Sequence, residues 1–263
     1  NGRELQSVDL TGDGELELMW TDDIGIHTSS VASTQESWSI PDALFLAAGD
    51  VDADGAWEVF TQIGSVVSAW RFGESNPLWS SNAGETVAFA GFLDASLDRT
   101  AIALTTSGLT FLDAATGAEL GRYVITADAL ATADLDGDGD RDLVIAENGE
   151  ILRLENSGFR SIGQVGNADE AWLISGDLNG DGKAELVHAA SDGKVSTVSA
   201  LRSSLEASFS SVVGAPALGD VDGDGLLEIV VSSPKQLHVF DVNGLPHADF
   251  PNDPAEFLEL GPI

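Results

Sequence analysis

The residues best placed to do chemistry are carboxylates, and they come at a fixed spacing. A stretch of the form Asp-x-Asp-x-Asp-Gly-x-x-Glu recurs five times with small changes. Asp9, Thr11, Asp13 and Glu17 form the first copy, and Asp50, Asp52, Asp54 and Glu58 the second. Asp134, Asp136, Asp138 and Asp142 follow, then Asp177, Asn179, Asp181 and Glu185, then Asp220, Asp222, Asp224 and Glu228. Side chains at positions 1, 3 and 5 converge on one point if the chain curls tightly. Gly at position 6 allows the positive φ that such a curl needs. Position 7 (Glu15, Ala56, Asp140, Lys183, Leu226) can add a backbone carbonyl, and the acid at position 9 completes the shell. Calcium accepts such a set of hard oxygens at about six to eight coordination, whereas magnesium usually demands a tighter octahedron with more water. Nitrogen and sulfur ligands are missing, which argues against zinc and copper.

Two simpler readings fail. An EF-hand needs a bidentate Glu at position 12 and a helix on each side. Position 12 is Trp20, Thr61, Ile145, His188 and Val231, all inside strand-like runs. Plain Asp-Gly turns would account for one copy. Five in one register, each crowding like charges, call for a cation.

The loops are spaced by a repeat, and the repeat defines the elements that must carry them. The copies start 41, 84, 43 and 43 residues apart, so the doubled gap should hide a sixth. A degenerate copy lies there, Ala90–Thr100, which has lost most of its acids; no ion is expected in its Asp94–Thr100 loop. After each loop comes a short apolar or alternating run: Glu15–Trp20, Trp57–Ile63, Thr100–Thr106, Asp142–Ala146, Ala184–Ala190 and Leu227–Ser232. Hairpin signals such as Gly64-Ser65, Ser107-Gly108, Asn148-Gly149 and Asp192-Gly193 follow. A third strand (Leu109–Leu112, Glu150–Leu154, Leu237–Phe240) and a less regular fourth stretch lead back to the next loop. About four strands per ~42 residues is the size of a propeller blade. A solenoid would usually have shorter repeats with fewer strands. Small residues precede the loops (Ala47-Ala48-Gly49, Ala131-Thr132-Ala133, Ser175-Gly176, Ala217-Leu218-Gly219), as close-packed inner strands require. The expected fold is all-β, a single propeller of four-stranded blades over residues 1–263. The repeats begin near 9, 50, 94, 134, 177 and 220. Glu256–Leu260 reads as the inner strand of another repeat, so seven blades are favoured over six.

Composition sets limits. There are 44 acidic residues against 11 basic ones, a net charge of −33, so nucleic acid and anionic membrane surfaces are disfavoured as partners. The five intact loops hold 20 of the 44 acids, and five calcium ions would bring the charge to about −23. The remaining acidity fits a saline habitat, a basic partner or solubility. There is no cysteine, so core or metal must hold the fold. No apolar run approaches the ~20 residues of a membrane helix. The chain begins at Asn1 without a signal peptide or an initiator Met, and a processed or partial chain is expected.

The loop motif and its spacing resemble the FG-GAP or VCBS repeats of integrin α-subunit-like β-propellers. Gly214-Ala215-Pro216 before the last loop strengthens the resemblance, though no Phe-Gly pair precedes it. The resemblance implies that each metal loop joins the first two strands of a blade. It also implies that the side chains named above are ligands of about five calcium ions. The neutral Thr11 and Asn179 should weaken their loops. Extracellular modules of this kind bind calcium at about 10⁻⁴–10⁻³ M, which implies a secreted or cell-surface location.

Three function classes follow. The first is a non-catalytic interaction, adhesion or assembly module with a protein partner. The second is a glycan-binding propeller, for which Trp20, Trp38, Trp57, Trp70, Trp79 and Trp172 could supply stacking faces, although packing between blades or in outer strands accounts for them better. The third is a polysaccharide lyase, which needs a base and a group that neutralises the substrate acid. His27, His188, His238, His247 and Tyr123 are the candidate bases, and they form no compact constellation in the sequence. We expect no catalytic site.

Overall fold

A computed structural model describes residues 5–30, 37–52, 54–82, 87, 89–95, 99–105, 108–155, 158–166, 170–199, 202–208, 214–234 and 237–242. Every regular element among them is a β-strand, and each sheet is antiparallel with its strands in chain order. The first sheet is β1 (Leu5–Val8), β2 (Glu17–Thr21), β3 (Gly25–Ser30) and β4 (Trp38–Pro41). The second is β5 (Leu44–Gly49), β6 (Glu58–Ile63), β7 (Val66–Trp70) and β8 (Trp79–Asn82). The third is β9 (Phe89–Ala95), β10 (Arg99–Thr105), β11 (Leu109–Asp113) and β12 (Glu119–Tyr123). The fourth is β13 (Ala129–Ala133), β14 (Asp142–Glu147), β15 (Glu150–Glu155) and β16 (Gly158–Gln164). The fifth is β17 (Ala171–Gly176), β18 (Glu185–Ala190), β19 (Lys194–Ser199) and β20 (Arg202–Ser208). The sixth has three strands, β21 (Ala217–Gly219), β22 (Glu228–Ser232) and β23 (Leu237–Phe240).

The blade count differs from expectation. The described residues hold five complete four-stranded blades, not six or seven. A blade is complete only when a fourth strand covers the third, and the described part of the sixth repeat ends at residue 242, just after β23. The Glu256–Leu260 strand lies outside the described residues. The chain divides into two compact units, Asn1–Thr126 with the first three sheets and Ala127–Ile263 with the last three. Among the described residues no helix is long and apolar enough to cross a membrane.

Burial explains why the second strands are the most apolar. In β18 every residue from Glu185 to Ala190 is buried, because the strand is covered on both faces. Alternation then sends successive side chains to opposite neighbours. Leu186 joins Ala131, Val144 and Ile151 of the fourth sheet, while Val187 and Ala189 join Ile229 and Val231 of the sixth. The first unit repeats the scheme. Met19, Ile26 and Val59 pack the first sheet on the second, and Phe60, Val67 and Leu112 pack the second on the third. Each fully buried aliphatic side chain of this kind contributes roughly 1.5–3 kcal/mol.

Small residues end the first strands where adjacent sheets come closest. A Cβ on Gly176 would lie 2.6 Å from Leu218 Cδ1, and one on Gly49 would lie 3.0 Å from the Phe92 ring. The Ser175 hydroxyl donates to the Thr132 carbonyl across the seam between the fifth and fourth sheets at 2.9 Å. The Asn148-Gly149 turn joins β14 to β15 with both residues at positive φ, 51° and 81°, as its sequence predicts.

Candidate metal loops

Each intact acidic loop links the first strand of its sheet to the second. Asp9–Leu16 joins β1 to β2, Asp50–Trp57 joins β5 to β6, and Asp134–Arg141 joins β13 to β14. Asp177–Ala184 and Asp220–Leu227 do the same in the fifth and sixth sheets. We number the loops by repeat, so these are loops one, two, four, five and six. The third repeat departs from them. There β9 and β10 stay paired to their ends, with Arg99 opposite Ala95 and Thr100 opposite Asp94, so positions that belong to the loop in the other repeats are strand here.

The same hydrogen bonds shape the five loops. The carboxylate at position 1 clamps the curl from inside. Asp9 accepts from the Gly12 and Gly14 amides at 2.7 and 2.8 Å. Asp134, Asp177 and Asp220 accept from the amides at positions 4 and 6 in the same way. Asp50 accepts from the Gly55 amide at 2.9 Å. Position 6 has positive φ in every loop, from 84° at Gly182 to 93° at Gly55 and Gly139. The position 5 acids (Asp13, Asp54, Asp138, Asp181, Asp224) accept from the amide at position 7, which orients residues 15, 56, 140, 183 and 226.

The acid at position 9 does something the sequence did not reveal. One of its oxygens accepts the backbone N–H at position 2, from 2.8 Å in Leu10→Glu17 and Val221→Glu228 to 3.4 Å in Leu135→Asp142. The Val51→Glu58 and Leu178→Glu185 bonds complete the series at 3.2 and 3.0 Å. Leu10, Leu135 and Leu178 are in turn buried as anchors beneath their loops. The acid therefore ties the loop to its second strand with one oxygen and can offer the other to an ion.

These acids are hidden from water. Glu17, Glu58, Glu185 and Glu228 are all buried, Glu58 completely. Burial pushes the Glu58 and Asp142 carboxyls above their ordinary range even though Arg71 and Arg153 oppose it. Burial also raises Glu185, helped by the charges of Asp181 and Asp177. A buried carboxylate is costly unless a cation or donors compensate it. In loop two, Asp50, Asp52 and Glu58 each bring an oxygen within 4.8 Å of the others, and Asp50 Oδ1 is buried without a hydrogen-bond partner. Asp134, Asp136 and Asp138 converge within the same limit, as do Asp220, Asp222 and Glu228. An all-oxygen donor set of this density, with an unspent buried acceptor, fits a calcium ion.

Sequence reasoning also missed two arginines. The Arg71 guanidinium reaches Asp52, Asp54 and Glu58, and Arg153 reaches Asp136 and Asp142. Both lie at or just past the third strand of their sheet. The only signal for them was the scarcity of cations beside so many acids.

Other candidates are dispersed. His27 lies in β3, bonded to Asp22, His188 is buried in β18, and His238 lies in β23, bonded to Ser233. Tyr123 sits edge-on to Phe111 in β12, and His247 lies outside the described residues. Five of the tryptophans are engaged in packing. Trp20 stacks on His27, and Trp172 packs in the core of the fifth and sixth sheets. Trp38, Trp70 and Trp79 donate their indole N–H to Glu74, Thr61 and Ala114. Trp57 remains exposed beside loop two.

A run of four-stranded antiparallel sheets packed face to face, with loops of this form between first and second strands, defines a β-propeller chain. Residues 134–188, which span loops four and five, match the FG-GAP-like repeat family. No curated protein sequence matches the chain as a relative. Among solved structures it is similar to BBS1N in its complex with ARL6DN, at 16% identity and a TM-score of 0.67, covering 92% of this chain and 80% of that one. It is also similar to an Agrocybe aegerita lectin specific for non-reducing terminal N-acetylglucosamine, at 15% identity and a TM-score of 0.58, covering 93% and 78%. Rhamnogalacturonan lyase YesW matches at 15% identity and a TM-score of 0.61; 92% of this chain covers 56% of the lyase. At these identities the likeness is one of fold.

Proposed function

We propose that the protein is an extracellular calcium-binding β-propeller that serves as an interaction, adhesion or assembly module, its blades stabilised by the ions. The observation that carries this reading is the recurrence, in five loops, of a position 9 acid, buried in four of them and half-buried as Asp142 in loop four, that faces a curl of carboxylates. The ligands would be the side chains at positions 1, 3, 5 and 9 of loops one, two, four, five and six, with the carbonyl at position 7. A bound ion would supply the positive charge that those carboxylates lack and fix the loop to both strands. Binding only to the folded loop adds stability by mass action. Affinities of about 10⁻⁴–10⁻³ M would leave the sites empty in cytosol and filled outside the cell.

Partner recognition falls to other surfaces. Propellers of this fold include one solved with a protein, ARL6DN, and one that recognises a terminal sugar. A protein partner fits better here, because packing or hydrogen bonding engages five of the six tryptophans. Among the described residues the exposed Trp57 favours a glycan, and the dispersed His27, His188 and His238 speak against a lyase. Thermal melting of the whole chain in calcium and in chelator tests the metal reading. The melting temperature should drop by several degrees on chelation, since roughly 1 kcal/mol corresponds to about 2–4 °C at this size. An unchanged curve would remove the structural role.

A further inference from the structure

Loops two and four differ from loops one and five in one respect that the repeat pattern hides. Arg71 Nη2 lies 2.7 Å from Asp52 Oδ2, 3.1 Å from Asp54 Oδ2 and 3.1 Å from Glu58 Oε1. Three carboxylates of one loop thus meet on a single nitrogen, at positions 3, 5 and 9 of the motif. In loop four, Arg153 Nη2 lies 2.6 Å from Asp136 Oδ2 and 2.7 Å from Asp142 Oδ1, at positions 3 and 9. Strand register puts both arginines there. Val59 pairs with Trp70, which brings Arg71 level with Glu58, and Val144 pairs with Arg153, diagonal to Asp142. Ser30 and Ser199 stand level with the position 9 acids of loops one and five. Among the described residues no ion pair reaches the carboxylates of those two loops.

We infer that Arg71 and Arg153 are tethered counter-ions which occupy loops two and four until calcium displaces them, so that the five loops fall into two affinity classes. The proposal rests on the calcium reading above and adds an order of filling to it. Charge counting at positions 1, 3, 5 and 9 ranks loops two and four as stronger, because each offers four acids there where loops one and five offer three with Thr11 or Asn179. One guanidinium cancels that advantage and brings those four positions to a net charge of about −3 in each of the four loops. The ion must then also break the arginine contacts, which places loops two and four in the weaker class.

The arginines are poised to leave. Neither pairing is complete. Asp50 Oδ1 stays buried without a partner in loop two, and Arg153 Nε stays buried without one in loop four. A spherical ion can collect the oxygen that a planar fork misses. Arg71 is also about a third exposed, at 35%, so its displaced head group has water to move into.

Calcium chloride titration of the whole 263-residue chain by calorimetry tests this, with Arg71→Gln and Arg153→Gln separately and together. Wild type should show two classes of site, and each substitution should tighten one ion by about tenfold or more. An isotherm unchanged or weakened by both substitutions overturns the proposal while leaving the calcium reading intact. No binding at about 10 mM calcium overturns both. Arginine side-chain NMR of the wild type needs no variant to fold. The Arg71 and Arg153 Nε–Hε signals should shift as the weaker class fills, and fixed signals at saturation would overturn the displacement.

Discussion

Single buried groups decide how this fold responds to pH, and His188 is the clearest case. Its ring is buried in β18 and its Nδ1 atom has no hydrogen-bond partner. Burial holds its pKa below the ordinary value of 6.5, against the weaker pull of the Asp192 and Asp128 charges. The folded chain therefore keeps a neutral imidazole where the unfolded chain would take up a proton. Stability linked to this group is fully present above about pH 6.5 and is lost as pH falls from there toward the folded pKa. Replacing His188 with Leu removes that linkage. Urea melts in saturating calcium should show the variant gaining on wild type between about pH 7 and pH 5. A constant difference across that range would assign the ring no role in acid sensitivity. The position 9 acids act in the opposite sense: burial raises Glu58 and Glu185, so acid relieves their repulsion while it displaces any bound cation.

At the scale of elements, neighbouring loops support one another. The Ala184 amide donates to the Asp134 carbonyl at 2.8 Å, which bonds loop five to loop four. A Cβ on Gly12 would lie 2.9 Å from the Gly55 carbonyl, so loop one packs its backbone on loop two. Gly14 has a similar positive φ, 85° against 73°, but a Cβ there meets nothing within 4 Å. The pair separates conformational strain from contact. Gly14→Ala should cost about 1–2 kcal/mol, the penalty of a left-handed L-residue. Gly12→Ala should cost clearly more, because the backbone it meets belongs to another loop and has little room to yield. Equal losses in denaturant melts would mean that the loops do not bear on each other. These contacts mark the boundary of what sequence could reveal. The motif located every intact loop, its resemblance to a known repeat placed each between first and second strands, and Asn148-Gly149 located its hairpin, because these signals are local. Arg71 and Arg153 were invisible because their contacts depend on strand register, which no short pattern contains. The blade count escaped for a related reason. A fourth strand carries no motif, only pairing, and the described strands after loop six number two.

For the molecule as a whole, charge is the dominant fact. With 44 acidic and 11 basic residues, the fold carries a formal −33, and Arg71 and Arg153 are already committed inside loops. Such a charge keeps a chain soluble but destabilises its compact state by self-repulsion. Much of that repulsion is concentrated, since the intact loops hold 20 of the acids within short curls. Two agents can relieve it by different routes. Calcium bound as proposed would act inside the loops, and monovalent salt screens everywhere, with a Debye length falling from about 10 Å at 0.1 M to about 3 Å at 1 M. The two should therefore substitute for each other in part. In chelator, the melting temperature should climb by several degrees as sodium chloride rises from about 0.1 M to about 1 M. In saturating calcium the same rise in salt should do distinctly less, because the densest repulsion is already neutralised. A melting temperature insensitive to salt in chelator would locate the stability in the apolar seams between sheets and leave the acidic loops as passengers. Equal salt sensitivity with and without calcium would show instead that the repulsion resides outside the loops.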